Sequence, residues 1–279
     1  MYNSSMFASI KDALAKSEKS GGNPLYKEIL KFKAGNTYVL RLLPNVNDPS
    51  KTFFHYFQHG WNSFATGEYV SALSLQTIGK PDPIGVETYR IKKNGTEEQK
   101  AKAQSVKWQE QWYVNVYVVD DPVTPANNGT VKIFRFGKKL NNIIESAISG
   151  DDSDEFGARV FDLTKNGVNF KLKAEKQGEY TTYDSSRFTS PVSLSLTDEK
   201  IEEIYNSVHD LTAVNPIKSE EELIEMWNKH FVVKETFESK PQSKTPVSSY
   251  EEEKEVDHSS TKELSDEMVN ELLKGYDEE

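Results

Sequence analysis

Cysteine is absent from all 279 residues. That excludes disulfides, thiol nucleophiles, iron–sulfur clusters and every cysteine-ligated zinc site, and it fits a reducing compartment. No run of about 18 apolar residues occurs, the length a membrane-spanning helix needs. The opening stretch MYNSSMFASIKDALAKSEKSGG has no apolar segment of signal-peptide length. Walker, GxSxG and HExxH motifs are missing too. The expectation is a soluble, intracellular chain that is not an enzyme. Apolar residues are sparse, at 36%, and charged ones make up 28%, so part of the chain is expected outside any core.

A positive balance is also lacking: the formal net charge is −10. It is unevenly spread. Residues 1–190 sum to +4, residues 191–240 to −6 and residues 241–279 to −8. Such asymmetry fits a nucleic-acid-binding body with an acidic tail, or an ordinary domain with a solubilising one.

Against that acidic background stands VKIFRFGKKL (131–140), which interleaves rings and cations. It follows QWYVNVYVVDDP (111–122), where Trp112, Val114, Val116 and Val118 alternate with Tyr113, Asn115, Tyr117 and Val119. The prolines and Asn-Asn-Gly of 121–129 supply the turn, so the pattern predicts a long-looped hairpin over 111–136. Strands are also expected at 36–44 and 51–61, and a strand pair over 167–183 with its turn near Gly178. Helical spacing predicts helices at 6–18, 138–148 and 197–211. Thr197 is the expected N-cap of the last of these. Ser219 and Glu222 form a capping box for a further helix over 219–231. Residues 62–107 read as an irregular insertion, 238–260 as a linker and 260–279 as a short acidic helix with Leu264, Met268, Leu272 and Leu273 on one face.

Lys107, Trp108, Trp112, Tyr113, Phe134, Arg135, Phe136, Lys138 and Lys139 lie on or beside the hairpin. Stacking a base on an exposed ring contributes roughly 1–3 kcal/mol, and lysine or arginine neutralises phosphate. Sequence-independent binding of single strands needs both. Each ring alone could as well be core. Period two places Phe134 and Phe136 on the face opposite Arg135. EYTTYDSSRF (179–188) adds Tyr180, Tyr183 and Arg187, either as more of that surface or as a turn. His55 and His59 are too far apart on a strand to share a metal, Asp120-Asp121-Pro opens a turn, and DDSDE (151–155) reads as a solvated loop rather than a cation site. The acidic tail either solubilises, docks partners or competes with DNA for the basic groove.

YVNVYVVDDPVTPANNGTVKIFRFGKKL resembles the signature of the single-stranded DNA-binding proteins of T-even-like phages. The likeness is strongest over 107–148 and extends through GEYTTYDSSRF, the helices at 197–231 and the tail. The resemblance implies an α+β, mainly β protein: an OB-fold barrel core with helical additions over 29–235, carrying the insertion at 62–107. Residues 1–28 would be a self-associating arm and 236–279 a disordered acidic tail. It implies cooperative, sequence-independent binding of single-stranded DNA in replication, recombination and repair, in the cytoplasm of an infected bacterium. It carries groove roles onto Lys107, Trp112, Tyr113, Phe134, Arg135, Lys138, Tyr180, Tyr183 and Arg187. Tail contacts, including the terminal Asp277, Glu278 and Glu279, would reach a polymerase, a helicase loader and a recombination mediator.

Two features depart from the resembled pattern. The family's zinc is held by one His and three Cys. Here His59 matches, but Ile84 and Glu87 stand at cysteine positions, so zinc is expected to be absent, with packing by Ile78, Ile84 and Val86 in its place. The arm's compact basic cluster is replaced by dispersed Lys11, Lys16 and Lys19. The reading from a different class is a phage structural or scaffold-type protein with buried rings and an acidic docking tail.

Overall fold

The computed structural model describes residues 23–231. The expected helices at 6–18 and 260–279, the arm lysines Lys11, Lys16 and Lys19, and the tail residues from Leu264 to Glu279 lie outside that range. Within it the chain divides into two units, one of 23–59 with 108–217, the other of 60–107 with 218–231.

The first unit is a curled antiparallel sheet. Its strands are β1 (Asn36–Leu43), β2 (Phe53–Asn62, which runs on into the second unit), β4 (Lys107–Asp120), β5 (Val131–Gly137), β6 (Val168–Gln177), β7 (Tyr180–Thr182) and β8 (Arg187–Pro191). The order is β2-β4-β1-β6-β7, with β5 added on β4 and β8 on β6. The hairpin β4–β5 pairs Trp112 with Phe136, Tyr113 with Arg135 and Val114 with Phe134. Asp121 opens its turn, accepting hydrogen bonds from the Val123 and Thr124 amides and from the Asn127 side chain. Helix α3 (Lys138–Ser149) follows β5 directly, and α4 (Asp198–Asn206) is capped by Thr197. The sequence pattern extended α4 to 211. The chain instead leaves the helix after Asn206, and the main chain of His209 exchanges hydrogen bonds with the Asn115 side chain.

Alternation along β4 explains its burial on both sides. Val114, Val116 and Val118 join Tyr38, Leu40, Leu42, Phe134, Phe136, Phe170 and Leu172 in the main core. Tyr117, on the opposite face, packs with Leu43, Leu163 and Ile204 of α4. One cation is also inside. The Arg41 guanidinium bonds Asn169 Oδ1 through Nε and Nη2 and reaches the carbonyls of Asp162, Thr164 and Val192. Burial pushes its pKa down, which the nearby Asp162 charge opposes. A Cβ at Gly167 would collide with the Asp162 carbonyl and crowd this guanidinium.

The second unit contains β3 (Tyr69–Leu73), α1 (Pro83–Asn94), α2 (Glu97–Gln104) and α5 (Glu220–His230). Residues 62–107, read from sequence as irregular, therefore hold two helices, and the predicted capping box of Ser219 and Glu222 starts α5. Aromatic packing joins the insertion to α5. Trp61 meets Trp227 edge-on at 6.0 Å, Phe64 meets Phe231 at 5.5 Å, and Trp227 stacks on Phe231. Ser63 Oγ lies 3.0 Å from His230 Nδ1.

Candidate nucleic-acid interface

The face of β4 that is core at Val114–Val118 continues past the core toward the strand's start, through Trp112, Glu110 and Trp108. There the side chains become half-buried. β2 brings Phe53, His55 and Phe57 to the same face. The imidazole of His55 stacks on the Trp112 indole, centroids 4.5 Å apart and 11° from parallel. Trp112 is stacked in turn on Phe136 at 6.2 Å and 12°. Phe57 stacks on Trp108 at 5.0 Å and meets His55 edge-on at 4.8 Å. A cavity of about 350 Å³ opens beside these rings, lined by Phe53, His55, Trp112, Asn141, Ile144, Glu145, Ile148 and Ser149.

Phe134, Phe136 and Tyr113 must be corrected as stacking candidates. Their relative exposures are 0%, 3% and 0%. Phe134 is enclosed by Phe32, Phe136 and Phe170. Tyr113 stacks on Tyr56 and Phe54 across the opposite face of the sheet, and its hydroxyl accepts from Asn215. A base would have to displace packed side chains to reach any of the three.

Among the cations, Lys107, Arg135, Lys138, Lys139 and Arg187 are exposed. Lys138 and Lys139 occupy the first turn of α3, where the helix dipole also favours an anion. Both have acidic neighbours that the sequence did not announce. Lys138 Nζ is 4.0 Å from Glu110, and Lys139 Nζ is 3.1 Å from Asp184. The Asp184 carboxyl is held below the usual carboxylate range by the Thr182 hydroxyl and then by Lys139. Arg135 lies on the Tyr113 face of the hairpin, and its charge partly offsets the rise that burial imposes on the Tyr26 and Tyr56 phenols and on Tyr183, which packs against the main core. The Lys139–Asp184 pair draws the 179–188 segment to the start of α3. Within that segment Tyr180 is 79% exposed, whereas Tyr183 packs against the core with Phe32 edge-on.

His55 and Phe57 are the ring-face residues that sequence reasoning missed. The signal was present in KTFFHYFQHGW, whose period of two puts Phe53, His55 and Phe57 on one side. The i, i+4 spacing of His55 and His59 points instead to a metal pair, which a strand keeps apart.

A profile of the gp32 DNA binding protein like family matches residues 33–234. The chain belongs to that family. It is 33% identical over 199 residues to a protein named single-stranded DNA-binding protein in Enterobacteria phage T4, and 31% identical over 198 residues to one of the same name in Enterobacteria phage T2. Each match covers 68% of this chain and 64% of the relative.

The zinc donor set of the resembled phage proteins does not fit the residues this member of the gp32-like family carries. Ile84 is fully buried, and the Glu87 carboxylate is engaged by Arg90 at 2.7 Å. Among the described residues no group of three or more His, Asp or Glu is arranged to hold a metal ion. Of the apolar residues expected to substitute, Ile84 is inside but Ile78 is 49% exposed. The second unit buries Trp61, Trp227 and Phe231 alongside Leu75, Ile84, Val106 and Leu223.

Proposed function

We propose that this chain binds single-stranded DNA, without sequence preference and without catalysis. The observation that carries this reading is the face of β2 and β4, where Trp108, Trp112, His55 and Phe57 lie half-buried or exposed beside the cations that open α3. Rings accept base faces and cations accept phosphates, and neither reads base edges. The names of the phage T4 and T2 relatives support the same reading.

The finer account follows the family likeness. Binding is cooperative along the strand, through the arm over 1–28 with Lys11, Lys16 and Lys19. The protein serves phage replication, recombination and repair in the cytoplasm of the infected host. The 236–279 tail docks a polymerase, a helicase loader and a recombination mediator through Leu264, Met268, Leu272, Leu273 and the terminal acids, and lowers DNA affinity by competing for the cations. Lys107, Trp108, Trp112, Arg135, Lys138, Lys139, Tyr180, Tyr183 and Arg187 are the proposed DNA contacts, and no metal is required.

Tryptophan fluorescence during titration with oligo-dT tests this. Trp61 and Trp227 are buried at 1% and 5% exposure, so quenching reports chiefly on Trp108 and Trp112. Quenching that weakens steeply with salt, and tightens when the chain is ended at residue 238, is the expected result. No quenching at low salt in either form would favour the scaffold-type interaction protein instead.

A further inference from the structure

The ring column on the first unit has an unexpected top. Phe136 is its buried base, Trp112 its middle and His55 its head. Both faces of the Trp112 indole are therefore occupied, one by Phe136 and the other by the imidazole. The His55 side chain is 43% exposed and Glu110 holds it, with His55 Nε2 2.8 Å from Glu110 Oε1. Glu110 lies two residues before Trp112 on the same face of β4, so one strand supplies both the ring beneath the imidazole and the carboxylate that fixes its plane. Two residues along β2, Phe57 heads a second stack on Trp108.

We propose that His55 is the base-stacking platform of this face, taking a nucleobase of single-stranded DNA on the outer side of its imidazole, and that Glu110 is the positioning residue that keeps the ring flat on Trp112. The proposal rests on the single-stranded DNA reading above and names the contact that reading left to Trp112. A bound base makes the fourth tier of the column. Phe57 offers the next landing place, roughly 6.6 Å along β2, suited to a successive base of the same strand. Without Glu110 the exposed imidazole is free to rotate about its side-chain torsions, and ordering it falls on the binding step.

The experiment measures oligo-dT affinity of the full chain and follows the His55 imidazole proton signals by NMR, assigned by their loss in His55→Ala. Expected are an upfield shift of those signals on binding and a 5- to 150-fold weakening in His55→Ala, the equivalent of one stacked base. His55→Phe, which keeps the ring, should bind within about threefold of the parent chain, because base stacking tolerates any π-face. Glu110→Ala and Glu110→Gln both remove the charge beside Lys138, so the two are compared with each other: Glu110→Ala should broaden the imidazole signals and bind more weakly than Glu110→Gln, whose amide oxygen still accepts from His55 and keeps the signals sharp. Unshifted imidazole signals, or a His55→Ala chain that binds as tightly as the parent, would overturn the proposal while leaving DNA binding intact. A parent chain that does not bind oligo-dT would sink the underlying function instead.

Discussion

Replacing Phe134 and Trp108 separately tests whether the hairpin's rings divide into core and contact groups as their packing indicates. Phe134 has no exposed surface and meets Phe32 at 5.6 Å, Phe136 at 4.9 Å and Phe170 at 6.1 Å. Cutting it to alanine removes the buried ring and leaves a cavity among neighbours held by the sheet, a loss of about 3–5 kcal/mol. For a chain of this size that corresponds to roughly 6–20 °C in Tm. Measured well below the lowered Tm, its affinity for oligo-dT should stay within about twofold. Trp108 is half-buried and covered on one face by Phe57. Trp108→Ala should cost less stability but weaken binding about 5- to 150-fold, equivalent to roughly 1–3 kcal/mol for one base. Thermal melting by circular dichroism and fluorescence titration of both variants at one fixed salt concentration make the comparison. The partition fails if Phe134→Ala loses affinity as strongly as Trp108→Ala while its Tm is unchanged.

Two further outcomes follow from the charge pairs and from the second unit. Asp184→Asn should release Lys139 for phosphate and steepen the salt dependence of single-strand binding by up to about 0.7 in log–log slope, and an unchanged slope would show that Lys139 never meets the backbone. Because the Asp184 carboxyl is lowered by Thr182 and Lys139, its contribution to folding is present above the ordinary carboxylate value of about 3.9. It is lost as pH falls through the lowered value of the folded state, so the parent chain should approach the Asp184→Asn slope only in strong acid. Trp227→Ala should remove about 3–5 kcal/mol of packing from the unit that includes Trp61, Phe231 and the 62–107 helices. Limited proteolysis should then cut within 62–107 first, whereas unchanged protection there would refute the idea that aromatic packing holds the insertion.

Local pattern made much of this fold legible. The period of two in QWYVNVYVVDDP and VKIFRF identified both faces of the central hairpin, because strand geometry sends successive side chains to opposite sides whatever surrounds them. Thr197 and the Ser219–Glu222 capping box marked helix starts for an equally local reason: an N-cap satisfies amides only two or three residues away. Composition alone removed disulfides and cysteine-bound zinc. Tertiary structure decided what each face touches. Phe134, Phe136 and Tyr113 carry the same sequence signature as Trp108 and Trp112, yet distant β1, β2 and β6 bury the first three and leave the other two at the margin of the core. The partners that neutralise Lys138 and Lys139, Glu110 and Asp184, lie 28 and 45 residues away from them along the chain, beyond any periodicity. The stacking of His55 on Trp112 requires β2 and β4 to be neighbours, and the order of strands in a sheet is set by burial summed over the whole chain rather than by any segment of it.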